Sequence, residues 1–333
     1  MEKKKLSDEQ IDYLMKKAYR KLKPHYCHFR FYAVPDVSLS CFQQAAEGYR
    51  AKNDFEHQIL ALDEAAKCAH NMKEFEYEAV AYKDKAFAYS NLLLVKNDES
   101  NKKKISNVIE SLNLSGQCFR IIKNFSASIE IYSEIVQKFY IPNKMFLDGF
   151  QILFKGLKDN ISFVKEENFQ SLEQFHKSIH LFINLSVELN QNEQCIHFLR
   201  EYFSMLINSN CEDKNRIKSL FVIIIVIYII SKEFEDIDKF MIETNEIEIN
   251  LSNEIEIMND MVYSYKNLIQ ETFEKNQKKI SIYNIPIKLE NRLFNSFGDK
   301  SNNEVIISSS KEEEIKEILK QNNEQNGGFY NDY

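Results

Sequence analysis

The sequence predicts an all-α protein, an α-solenoid of tetratricopeptide-like helix pairs, and three observations carry that prediction. Only 7 Gly and 4 Pro occur in 333 residues, far below average usage, which is roughly 7 % and 5 %. So few turn-formers exclude sandwiches, propellers and glycine-looped doubly wound sheets. Apolar residues recur at spacings of three, four and seven, the stripe of an amphipathic helix. The breaks between these stripes are short and polar, so successive helices must lie antiparallel as helix pairs.

The first stripe, Ser7 to Leu22, is a basic helix. Lys23 to Ser40 holds two of the four prolines and reads as an aromatic connector, so 1–40 forms an N-terminal unit. From Cys41 the stripe runs through Phe42, Ala45, Ala46 and Tyr49, breaks at Lys52-Asn53-Asp54, and resumes at Leu60, Ala65 and Ala66. It breaks again at Asn71 to Glu74 and continues through Ala79, Tyr82 and Ala86. Ile105 to Ile122 then pairs with Phe125 to Phe139 across Lys123-Asn124. Lys144 to Leu157, Asn168 to Leu189, Cys195 to Ile207, Lys214 to Ser231, Phe234 to Glu243 and Leu251 to Asn276 complete a solenoid expected over 41–298. Small residues one turn from an aromatic recur, as in FQQAAEGY and EAVAYKDKAFAY. The unit is degenerate, roughly 34–45 residues long. Residues 299–333 are polar and read as a flexible tail, with a short helical pattern from Lys311 to Gln321.

Composition narrows function. A net charge of −7 opposes non-specific binding to nucleic acid, which needs a basic surface. Six cysteines lie far apart with no CxxC pair, the usage expected of reduced intracellular thiols. MEKKKLSDEQ has no apolar stretch behind it, so no secretion signal is expected. The longest apolar run, Leu220 to Ile230, spans 11 residues, where a membrane helix needs about 20; it is expected to be a buried core helix.

No motif for catalysis stands out. P-loop, dinucleotide-binding and nucleophile-elbow patterns are all missing. His176 and His180 share a helical face, but Lys177, Ser178 and Ile179 between them lack the glutamate base of a metalloprotease helix. His25, Cys27 and His28 lack a second ligand pair. No metal, cofactor or catalytic residue is therefore expected. The densest local feature is the connector, where Tyr26, Phe29, Phe31 and Tyr32 interleave with His25, His28 and Arg30. Lysines and arginines from Lys3 to Lys23 surround it. It is read either as a buried loop or as a contact with a membrane surface or partner.

The basic first helix, Pro35-Asp36, Phe-x-x-Ala-Ala-x-x-Tyr (Phe42 to Tyr49), Phe55-Glu56, EAVAYKDKA and IEIYSEIVQKF together resemble the soluble NSF attachment protein family, particularly its gamma type. That resemblance implies an adaptor that binds SNARE complexes and recruits the NSF ATPase, cytoplasmic and peripheral on endomembranes. Tyr26, Phe29, Phe31 and Tyr32 would touch the membrane. Arg50, Lys52 and Lys67 would meet the acidic SNARE bundle, and Asp260, Glu271 and Glu274 would dock the ATPase. Alpha-type members carry a Leu next to last, where this sequence has Asp332. A second resemblance, through Arg30-Phe31-x-x-x-Pro35-Asp36-Val37, Ala66-Lys67-Cys68 and LFVIIIVIYIISKEFEDI, is to the 40-kDa huntingtin-associated protein family. It implies a scaffold in endosome trafficking with huntingtin as partner; another tetratricopeptide interaction scaffold is the remaining alternative.

Overall fold

A computed structural model describes residues 6–22, 34–95, 101–161, 169–208, 213–245, 249–267 and 269–298. Among them the chain forms fourteen α-helices and no strand. They are α1 (Asp8–Leu22), α2 (Pro35–Ala51), α3 (Phe55–Met72), α4 (Phe75–Val95), α5 (Asn101–Ile121), α6 (Phe125–Ile135), α7 (Phe146–Asn160), α8 (Phe169–Leu189), α9 (Asn192–Asn208), α10 (Lys214–Ser231), α11 (Phe234–Asn245), α12 (Ser252–Asn267), α13 (Gln270–Ile280) and α14 (Ile287–Gly298). The first five pack strictly in sequence, each on the next. This is the all-α, solenoid-like stack that the periodicity predicts.

The turns explain how so few glycines suffice. Asn53, Lys73, Lys123, Lys144, Asn190 and Lys232 adopt left-handed backbone, with φ between 55° and 62°. Each ends its helix with two reversed hydrogen bonds. At Lys73, for example, its own N–H donates to the His70 carbonyl (3.0 Å) and the Glu74 N–H to the Ala69 carbonyl (2.9 Å). This is the Schellman geometry usually given to glycine. Two of these turns then start the next helix on a side-chain cap. Asp54 accepts from the His57 N–H at 3.2 Å and Asn124 from the Ala127 N–H at 3.1 Å.

Four boundaries differ from the sequence reading. α2 begins at Pro35, inside the expected connector, because proline suits the first helical turn and Asp36 complements its dipole. Residues 23–33 of the connector, Tyr26, Phe29, Phe31 and Tyr32 included, lie outside the described residues, as does 299–333. A π-helical turn, Val136–Tyr140, extends α6 before the turn at Lys144. The single helix expected over Leu251 to Asn276 is two, α12 and α13, with Ile269 extended between them. α14, which has no counterpart in the sequence reading, follows Pro286.

The interior changes character along the chain. Between α2, α3 and α4 it consists largely of alanines, among them Ala45, Ala61, Ala65 and Ala69, all 0 % exposed. From α6 onward large side chains take over. Phe150, Phe154 and Phe182 stack with centroids 5.1–6.1 Å apart, and Phe198 meets Phe154 and Phe182 edge-on. The Leu220 to Ile229 stretch of α10 is buried throughout. Among the described residues no helix is long and apolar enough to cross a membrane. α14 folds back across α10 to α8. It buries Leu289 and Leu293, and Lys288 reaches Glu188 at 2.6 Å while Arg292 donates to Asn190 at 2.8 Å.

Candidate functional site

Two surfaces emerge where the expected basic contacts lie. On α2, α4 and α6 the charges alternate in sign. Exposed Arg50 and, on α4, Lys83 act on the Asp84 carboxyl, which burial nonetheless raises above the ordinary carboxylate range. Lys83 also reaches Glu134 of α6 at 3.4 Å, and Lys138 closes on the same carboxylate at 2.9 Å. Burial pulls Glu134 up, but the two lysines outweigh it and its carboxyl lies below the usual value. The result is a ladder of alternating charge running across three helices.

The second surface is a groove of about 490 Å³ between α3, α4 and α5, lined by Lys67, His70, Phe75, Glu78, Tyr82 and Cys118. His70 Nδ1 lies 3.1 Å from the Oε2 of the buried Glu78. Burial, reinforced by Glu78, pushes the Cys118 thiol up to about 12. Burial likewise lifts Cys68 to about 11 and Cys195 to about 12. These sulfurs are held as thiols, and a nucleophile needs the thiolate. Cys41, Cys68, Cys118 and Cys195 are all free and buried.

The three basic residues singled out in the sequence therefore do not make one patch. Asp84 follows Glu78 by six residues, about 240° around α4, so Arg50 and Lys67 address different sides of that helix. Lys67 is bound to Glu64 at 2.6 Å, and that hydrogen bond raises its pKa. Lys52, at the α2–α3 turn, pairs with Asp8 of α1. Of the acidic residues, Asp260 on α12 and Glu271 in the first turn of α13 are exposed. Glu274 is half-buried and accepts from the Gln270 amide at 2.8 Å. Lys83, Asp84, Glu134 and Lys138 escaped the sequence reading. The available signal was charge at the equivalent position of alternate helices, visible only once those helices are known to be neighbours.

A third arrangement lies on α8. His176 and His180, one turn apart, bring their Nε2 atoms within 3.0 Å, with ring centroids 4.5 Å apart. Burial first, then His180 and Arg216, hold His176 down to about 3, and burial holds His180 down to about 4. Both imidazoles are neutral at physiological pH. Among the described residues no group of three or more His, Cys, Asp or Glu side chains converges as a metal site. No protein-family model matches the sequence, and no curated protein is similar enough to it to be counted a match.

Proposed function

We propose that this protein is a non-enzymatic adaptor whose α2–α4–α6 face lies along an elongated helical partner. The observation that carries the reading is the run of charges Arg50, Asp84, Lys83, Glu134 and Lys138 contributed by α2, α4 and α6. That face offers a row of spaced charges, which sets register and orientation against a partner more than it adds raw affinity. The SNARE four-helix bundle is the partner the sequence resemblance supplies. Asp260, Glu271 and Glu274 would then face the basic surface of the NSF-type ATPase. The Tyr26 to Tyr32 segment would add a membrane contact that raises the effective concentration of both.

The test uses the full chain with an assembled SNARE bundle on liposomes and the ATPase. Saturable binding is expected, and R50E together with K83E should weaken it about tenfold, largely through the association rate and more so at low salt. K52E and K67E should change it less, since Asp8 and Glu64 already engage those ammonium groups. Absence of SNARE binding, or equal binding by the R50E/K83E chain, overturns the reading. Capture of one very large helical-repeat protein instead would favour the huntingtin-type scaffold.

A further inference from the structure

His176 and His180 do not belong to either surface above, and their geometry has a chemistry of its own. Two histidines four residues apart on a helix present their rings to the same side, the spacing that zinc-binding helices use. Here the rings converge fully, with Nε2 to Nε2 at 3.0 Å. The helix holds them there. Phe175, immediately before His176, is fully buried and packs edge-on against Tyr202 of α9 at 5.1 Å, and Ser178 and Ile179 are buried between the two rings in sequence. Lys177 points to solvent, bound to Glu173 at 3.0 Å. His176 Nδ1 is buried without a hydrogen-bond partner.

We propose that His176 and His180 form a two-imidazole chelate for one late first-row divalent ion of the Ni(II) or Cu(II) type. An imidazole nitrogen sits about 2.0–2.1 Å from such an ion. Two nitrogens 3.0 Å apart then subtend about 94° at it. A tetrahedral ion would need them about 3.3 Å apart, so the pair suits square-planar or tetragonal coordination, which N and O ligands give Cu(II) and Ni(II). The remaining positions fall to water, because no third His, Cys, Asp or Glu joins the pair among the described residues. In the free chain the 3.0 Å contact is an imidazole–imidazole hydrogen bond, so one Nε2 carries a proton that must pass to the same ring's Nδ1 when the ion binds. Arg216, whose charge is felt at His176, opposes the ion; Asp213, 3.4 Å from the Arg216 Nε, offsets part of that charge.

Ni(II), chosen because it leaves thiols unoxidised, is titrated into the full chain by calorimetry. One saturable site is expected, weakened at least about tenfold by either H176Q or H180Q, because the second bond of a chelate forms intramolecularly. H57Q, H70Q and H197Q should leave it unchanged. No saturable site, or binding unchanged in both glutamine variants, means an imidazole–imidazole hydrogen bond only and overturns the proposal. Should those variants misfold, paramagnetic Ni(II) on the unaltered chain decides. The His176 and His180 imidazole signals should broaden first; broadening confined to the other imidazoles refutes the site.

Discussion

The two halves of the stack solve one problem in opposite ways. Between α2 and α4 the helices meet through alanines and pack strictly in sequence. Small side chains let backbones approach and leave little to interlock, so the repeat stays regular. At the adjoining α1–α2 contact even a methyl would crowd its partner, since a Cβ on Gly48 would lie 2.8 Å from the Ile11 side chain. From α6 onward phenylalanines, isoleucines and tyrosines fill the interior, and packing becomes non-sequential. α6 meets α8, and α14 returns to α8 and α10. At Gly156 of α7 an added Cβ would lie 2.3 Å from the Tyr132 ring, an aromatic seated directly on a backbone. Large interlocking side chains specify one arrangement but bend the repeat. Small ones keep the repeat and leave its outer face to carry charge.

This contrast can be broken from either side. Phe198, fully buried among Phe154 and Phe182, carries the largest expected effect. Phe198→Ala should cost about 3–5 kcal/mol, read from denaturant unfolding; a loss below about 1 kcal/mol would mean the aromatic cluster can collapse around the gap. Ala65→Leu tests the other half. Four-carbon side chains do not fit between α2, α3 and α4, and about 1–3 kcal/mol should be lost. A neutral result would show that the alanine interface can spread.

Acid should expose a further difference. His176 and His180 are held well below the ordinary value of 6.5, to about 3 and about 4. The unfolded chain binds their protons first. The stability from keeping them neutral is complete above about pH 6.5 and is lost as pH falls toward 4. Each should add a slope of up to about 1.4 kcal/mol per pH unit across that window. Glu134 and Glu254, held below their ordinary value, titrate only under more acid conditions. Unfolding series from pH 7 to 4.5 on the parent and the H176Q/H180Q chain should diverge in slope; parallel curves would contradict the burial of the pair. The smallest effect lies at the turns. Lys232, exposed, has φ of 62°, a conformation that costs a side-chain-bearing residue about 1–2 kcal/mol. Glycine removes that cost but loosens the unfolded chain, so Lys232→Gly should gain about 0.5–1 kcal/mol. A loss there would indicate that the lysine side chain contributes something the backbone does not reveal.

The legible and illegible parts of the molecule follow the same division. Periodicity located the pairs from α2 to α6 because alanine-packed helices repeat their stripe, and Leu220 to Ile230 announced a buried α10 by being apolar all round. The polar breaks announced the turns, although Lys73 and Lys232 do the work of glycine. Of the candidate contacts, residue type was readable and pairing was not. Nothing near Lys52 in sequence points to Asp8, and nothing near Arg50 points to Asp84. His176 and His180 were legible as a spacing, but their neutrality depends on what α9 and α10 bring over them.

By itself, then, the sequence determined what is local: helix content, the amphipathic stripes and the polar punctuation, since each depends on neighbours within a turn or two. The tertiary structure decided what is distant. It cut α12 from α13 before an unremarkable Ile269, laid α14 back over residues a hundred positions earlier, and assembled the charge ladder and the imidazole pair. Those arrangements depend on which apolar faces find one another, and a helical stripe says only that a face must be buried, never against what.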